Sequence, residues 1–194
     1  MIRCSAFALL LMIGLSAPTV FAAEEEASLA RANQLVDETY AAMTAETTEA
    51  ERNDALRAAL ETGFAFDFWE KFLIRKHKES FSEEQLAEFR ALLPGFLAKL
   101  YSDQFGNGLE AKPEIKETRK ARKDILVRAA IPRANGKTLP VDWRVHDFDD
   151  RGHLVVDFMV GGTSFLILKR DEFSGLLDRE GPDGLLAFMQ ANAI

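Results

Sequence analysis

The sequence predicts an α+β fold: a curved antiparallel sheet of three to five strands in a meander, packed against several helices. Three observations predict it. Up to Tyr101, apolar residues recur every three or four positions. After Gly106 the period falls to two. Within that second half, Asn135-Gly136 and the run DDRG (149–152) divide the chain at hairpin spacing. A helical half followed by an alternating half is the signature of helices set against one face of an antiparallel sheet.

The elements follow in order. From Glu24 to about Thr47, Leu29, Ala32, Val36, Tyr40 and Met43 share one helical face. A second helix is predicted over 49–62. FAFDFWEKFLIRKH (64–77) is dense in aromatic residues, and Asp67 is a candidate cap for a short helix burying Phe68, Phe72 and Leu73. Ser82-Glu83-Glu84-Gln85 has the S-x-x-Q form of a capping box. It precedes Leu86, Phe89, Leu92, Leu93, Phe96, Leu97, Leu100 and Tyr101 at helical spacing. Pro94 interrupts that run and predicts a kink near 92–94.

A weak strand over about 109–119 opens the sheet. Ile125, Val127, Ala129 and Ile131 then alternate with Leu126, Arg128 and Ala130. After Asn135-Gly136, a strong hairpin signal, the return strand sets Leu139, Val141, Trp143 and Val145 against Asp142, Arg144 and His146. Past the next turn, Leu154, Val156, Phe158 and Val160 continue the apolar face. Gly161-Gly162 ends the strand. Thr163 or Ser164 then caps a helix carrying Phe165, Leu168, Phe173, Leu176 and Leu177, unless a short strand continues through Leu168. Gly181-Pro182 breaks the chain before a last helical segment.

The first residues, MIRCSAFALLLMIGLSAPTVFAA, have the form of a secretory signal peptide. Arg3 is followed by an apolar block of about ten residues and by Val20-Phe21-Ala22, which places the predicted cleavage after Ala22. The block is shorter than the ~20 residues of a spanning helix; a retained amphipathic anchor is the alternative. The predicted organisation is therefore a signal peptide at 1–22 and a single α+β domain at 23–194. The only cysteine, Cys4, leaves with the signal, so burial must hold the domain together without a disulfide. Loss of Arg3 takes the net charge from −7 to about −8. That acidic balance argues against nucleic acid as a partner, and the processing chemistry points to a bacterial periplasm.

Motifs for covalent chemistry are missing. There is no G-x-S-x-G, no phosphate-cradling glycine loop and no cysteine nucleophile after processing. His146 and His153 flank a turn rich in aspartate, but DFDDRG (147–152) has Arg151 and Phe158 where a calcium loop needs ligands. A solvated turn accounts for it. No catalytic residue, metal ligand or cofactor is assigned; a hydrolase with dispersed residues stays as an alternative. IRKHK (74–78) and KETRKARK (116–123) are local basic patches on an acidic chain. They are either solvated faces or contacts for headgroups or an acidic partner.

The apolar surplus is what the chain offers instead, with fifteen phenylalanines. Periodicity alone is satisfied by an ordinary packed core, and a protein-interaction module with such a core is one reading. A curved sheet with kinked helices can also leave a hollow, and pockets for large ligands are mostly apolar.

VDWRV, VVDFMVGGTSF and KRDEFSGLLDREGPDGLL, preceded by FSEEQLAEFRALLPGFLAKLYSDQF, occur in this order over about residues 30–190. The series resembles the MlaC-like toluene-tolerance family of periplasmic phospholipid-binding, ABC-transporter auxiliary proteins, with an NTF2-like overall fold. The chain departs from the common family pattern at FLIRKHKESF, at Gly161-Gly162-Thr163-Ser164 and at Pro94.

The resemblance implies a non-enzymatic lipid carrier. Its cavity would be lined from the helices by Phe72, Phe89, Leu93, Phe96, Leu97, Leu100, Tyr101 and Phe165. The sheet would contribute Val127, Val141, Trp143, Val145, Val156, Phe158 and Val160. Bound phospholipid would be the transported ligand and no cofactor is implied. The implied partners are an outer-membrane lipoprotein complex and an inner-membrane ABC transporter with an MCE-domain subunit. The role would be maintenance of outer-membrane lipid asymmetry. A hopanoid-associated branch of the same family is the alternative.

Overall fold

A computed structural model describes residues 18–106, 109, 111–134 and 136–194, with side chains from residue 22 onward. Most of the predicted leader, and Asn135 of the hairpin turn, lie outside the described residues. Among the described residues, four α-helices, the five-stranded sheet and a fifth α-helix follow one another, with the change of period at the first boundary.

Helix α1 (Pro18–Thr44) starts earlier than the sequence pattern suggests. Helix α2 (Glu49–Gly63) opens on a full capping box: Thr48 Oγ accepts from Glu51 N–H, and the Glu51 carboxylate accepts from Thr48 N–H. Helix α3 (Phe66–Leu73) begins after Ala65, so Asp67 lies in its first turn and is not the cap. Its buried residues are Trp69 and Leu73, whereas Phe68 and Phe72 stack on each other at 6.2 Å in a half-buried position. Five of its eight residues are apolar and form one broad stripe, so the pattern leaves open which part of it is most deeply buried. A short 3-10 turn, Lys78–Ser80, leads to helix α4 (Glu83–Phe105). The Ser82/Gln85 capping box predicted there is present. Pro94 lies inside α4, and next to it Gly95 leaves room for the chain end, whose Ile194 N–H donates to the Gly95 carbonyl at 3.2 Å.

The sheet is an open antiparallel meander in the order β1 (Glu114–Ala121), β2 (Asp124–Pro132), β3 (Thr138–Phe148), β4 (Gly152–Val160) and β5 (Thr163–Ser164). Gly136 takes φ 73° in the β2–β3 turn, as the hairpin signal requires. Val127 pairs with Trp143 and Ala129 with Val141, so one face is apolar across β2 and β3. On β4 the register shifts between Arg144 and Val145. Phe158 sits opposite Trp143, but Val155, not Val156, sits opposite Val145. A bulge flips the side-chain alternation of every residue beyond it. The expected face Leu154–Val156–Phe158–Val160 is therefore corrected to Val155, Phe158 and Val160. Val156 is buried but is not among the residues of the main core.

Gly161 and Gly162, both with positive φ, turn the chain into the two-residue β5. Ser164 then accepts from Ile167 N–H at 3.1 Å and starts helix α5 (Phe165–Ala191). The helix reading thus prevails over a strand through Leu168. Helix α5 bends at Gly181 (φ 66°, ψ −171°), one residue before Pro182, where the sequence predicts a break.

Candidate functional site: the aromatic layer between sheet and helices

The apolar face of the sheet meets α1 and the aromatic residues of α3, α4 and α5. Phe158 is at the centre and has no solvent exposure. Its ring lies 4.6 Å from Phe165, 5.6 Å from Phe105, 5.9 Å from Tyr101, and 6.3 Å from both Phe64 and Trp69. These distances fall in the range of attractive aromatic pairing. A second group joins α4 to α5: Phe173 contacts Phe96 at 5.4 Å, Phe89 at 6.2 Å and Phe188 at 6.4 Å.

Of the residues assigned to a lipid cavity, eleven are buried in this one core: Phe89, Leu93, Phe96, Leu97, Tyr101, Val127, Val141, Trp143, Val145, Phe158 and Phe165. Phe72, Leu100 and Val160 pack against it half-buried, and Val156 lies outside it. The structure therefore brings the predicted lining together. In the conformation shown, the side chains themselves occupy the space between sheet and helices. Sequence reasoning missed Phe64, Trp69, Phe105 and Val155, which complete the layer. Trp69 carried a signal, four residues before Leu73 at helical spacing. Phe105 closes the α4 stripe one turn after Tyr101.

The layer is not wholly apolar. Trp69 Nε1 is buried with no hydrogen-bond partner, and the Trp143 indole faces the Tyr101 hydroxyl without closing a bond of normal geometry. Each unmet buried donor costs about 1–3 kcal/mol. Burial pushes the Tyr101 hydroxyl up to about 12, against a weaker opposing effect of the Thr39 hydroxyl at 3.5 Å. Tyr101 is therefore a neutral donor throughout the physiological range.

The opposite face of the sheet is ionic. Arg128 forks onto Asp142 at 2.8 and 3.1 Å. Asp124 is shared between Arg144 Nε (2.5 Å) and His146 Nδ1 (2.6 Å). Asp157 accepts from the Ser164 hydroxyl at 2.5 Å and from Leu166 N–H at 3.0 Å, tying β4 to the start of α5. Burial pushes its carboxyl up, partly offset by these two bonds. His153 lies 3.5 Å from Asp147, and among the described residues no three or more His, Cys, Asp or Glu side chains gather as a metal site would need.

Several openings reach the surface among the described residues, and two of them bear on this core. A wide apolar groove of about 550 Å³ runs between α1 and α2 and is lined mainly by alanines, among them Ala41, Ala45, Ala55 and Ala58. A smaller pocket lies between the end of α3 and α5, with Phe72 in its wall. Among the described residues, no helix is long and apolar enough to cross a membrane.

The order of these elements and the apolar sheet face under an aromatic helix layer agree with one family model, described as MlaC protein, which matches residues 33–191. The chain belongs to the MlaC family. No curated protein matches it. Among solved structures, this MlaC-family chain is similar to the phospholipid-binding protein from Ralstonia solanacearum, determined in complex with a phospholipid. The TM-score is 0.71 at 18% identity, over 85% of this chain and 96% of that one. At that identity the likeness is one of fold: an open five-stranded meander against helices.

Proposed function

We propose that this protein is a phospholipid carrier of the periplasm, and a binding protein rather than an enzyme. The observation that carries the proposal is membership of the MlaC family together with a fold shared with a protein solved around a phospholipid. The leader-like residues 1–22 support export, and the mature domain would be 23–194. Lipid would be collected and delivered at two membrane complexes: an outer-membrane lipoprotein complex and an inner-membrane ABC transporter with an MCE-domain subunit. The process served is maintenance of outer-membrane lipid asymmetry.

The physical need for such a carrier is large. A phospholipid has roughly 30 acyl CH₂ groups, each costing ~0.8 kcal/mol to expose to water. Unaided desorption therefore faces a barrier on the order of 25 kcal/mol, a wait of roughly days per molecule. A protein interior that receives the chains removes most of that barrier without making or breaking a bond. The layer around Phe158 has the right chemistry for acyl chains. The unspent Trp69 and Trp143 donors suit an ester carbonyl. Entry requires the rings of Phe158, Phe165 and Tyr101 to part, which exchanges one set of apolar contacts for another.

The test is native mass spectrometry and organic extraction of protein purified gently from a bacterial periplasm. Phospholipid at close to one molecule per chain is the expected result. A protein that stays empty in that preparation, and takes up no lipid from vesicles, would overturn the proposal.

A further inference from the structure

The pocket between α3 and α5 carries chemistry that an apolar carrier interior does not need. Its volume is about 150 Å³, roughly ten times what a single ordered water requires. Arg75, Lys76 and Arg170 line it against a single carboxylate, Asp171. That carboxylate is already engaged by the Arg170 guanidinium at 2.8 Å. Arg75 and Lys76 form no ion pair or hydrogen bond among the described residues. Both cations are therefore available to a ligand at this opening.

The pocket is also organised. Phe72 supports the Arg170 guanidinium, whose carbon lies 5.3 Å above the ring. Its Nε and Nη2 donate to Asp171 Oδ1 at 2.9 and 2.8 Å, which leaves Nη1 to face a ligand. His77 Nε2 lies 3.1 Å from Ser174 Oγ, which bridges the turn after α3 to α5. Arginine, lysine, imidazole and hydroxyl donors converging on one opening are the set that recognises phosphate oxygens. Phe72 and the buried Leu73 also line the pocket, and both are part of or packed on the aromatic core. Charge at the rim and hydrocarbon at the wall match a phosphate joined to acyl chains.

We infer that Arg75 and Lys76, with Arg170, His77 and Ser174, form a phosphate site, and that its ligand is the headgroup phosphate of the carried lipid. The inference rests on the carrier reading for the lipid, but not for the phosphate.

The experiment uses the full delipidated protein and two vesicle-borne probes with the same tails: dioleoylphosphatidylglycerol and dioleoylglycerol. Uptake of each is measured by mass spectrometry. The wild type is expected to prefer the phospholipid by about tenfold, the scale of charge-assisted hydrogen bonds. The R75Q/K76Q variant is expected to reduce that preference to within about twofold, with dioleoylglycerol uptake unchanged. A wild type without preference, or a variant that keeps the full preference, overturns the lipid-phosphate assignment.

Inorganic phosphate is titrated in parallel while the His77 ring resonances are followed by NMR. If the preference is present and His77 does not move, the site is specific to the lipid headgroup. A saturable shift lost in R75Q/K76Q shows that free phosphate enters the same site. If neither lipid is taken up, the carrier reading fails, and the phosphate titration alone decides. A shift lost in the variant keeps the anion site, and no shift overturns it as well.

Discussion

Replacing Phe158 by alanine tests whether the aromatic layer is both the core of the empty protein and the wall that yields to lipid. The ring is fully buried and contacts five other rings. Truncating a buried phenylalanine costs about 3–5 kcal/mol through lost transfer energy and the hole left behind. Aromatic pairs add about 0.5–1.5 kcal/mol each beyond area. They are not additive, so the upper half of the range is expected, about 4–5 kcal/mol. For a domain of this length that lowers Tm by roughly 8–20 °C. The assay is urea unfolding of the delipidated variant and wild type, repeated after loading with phospholipid. In the loaded protein the acyl chains fill the hole, so the difference is expected to fall to half or less. A delipidated variant destabilised by under 1 kcal/mol would refute the packed layer. An equal penalty with and without lipid would refute acyl chains entering beside Phe158.

Three smaller predictions accompany it. The Asp157 carboxyl is raised above its ordinary 3.8 chiefly by burial, so its protonation favours the folded state. That contribution is fully present below pH 3.8 and is lost as pH rises through the raised value. Asp157→Asn should therefore flatten this part of the pH–stability curve measured by thermal melting, and an unchanged curve would contradict it. Ser82→Ala removes the hydroxyl that accepts from Gln85 N–H and should cost about 1 kcal/mol in urea unfolding. Gly181→Ala meets no atom within 4 Å, so its expected cost of about 1–3 kcal/mol comes from the backbone conformation at φ 66°, ψ −171° alone; a neutral effect would mean the bend relaxes.

The sequence showed most clearly what neighbours in the chain decide. The capping box at Ser82, the hairpin at Gly136 and the break at Gly181-Pro182 are short-range signals, and each appears in the fold. The β4 bulge left no such mark. GHLVVDFMV is apolar at both parities near Val155 and Val156, so an extra residue changes the register without changing the pattern. The burial of α3 was misjudged because its apolar stripe is broad, and tertiary contacts choose Trp69 and Leu73 within it. The layer itself was legible as a list of apolar faces. Its centre was not, because the rings around Phe158 come from three separate helices and the link before α3. Likewise IRKHK shows its charge in one line of sequence, but Arg170 and Ser174 join it only in space.

The meander is not closed, and β1 forms its outer border, with one row of peptide groups facing away from the sheet. Such a border can template a strand from another molecule. Here Glu114, Lys116, Glu117, Arg119 and Lys120 crowd that segment with alternating charge. A stranger's backbone would have to strip water from these groups to dock. The same polarity that keeps β1 poorly buried thus guards a greasy protein against fibrous self-association during its time in solution.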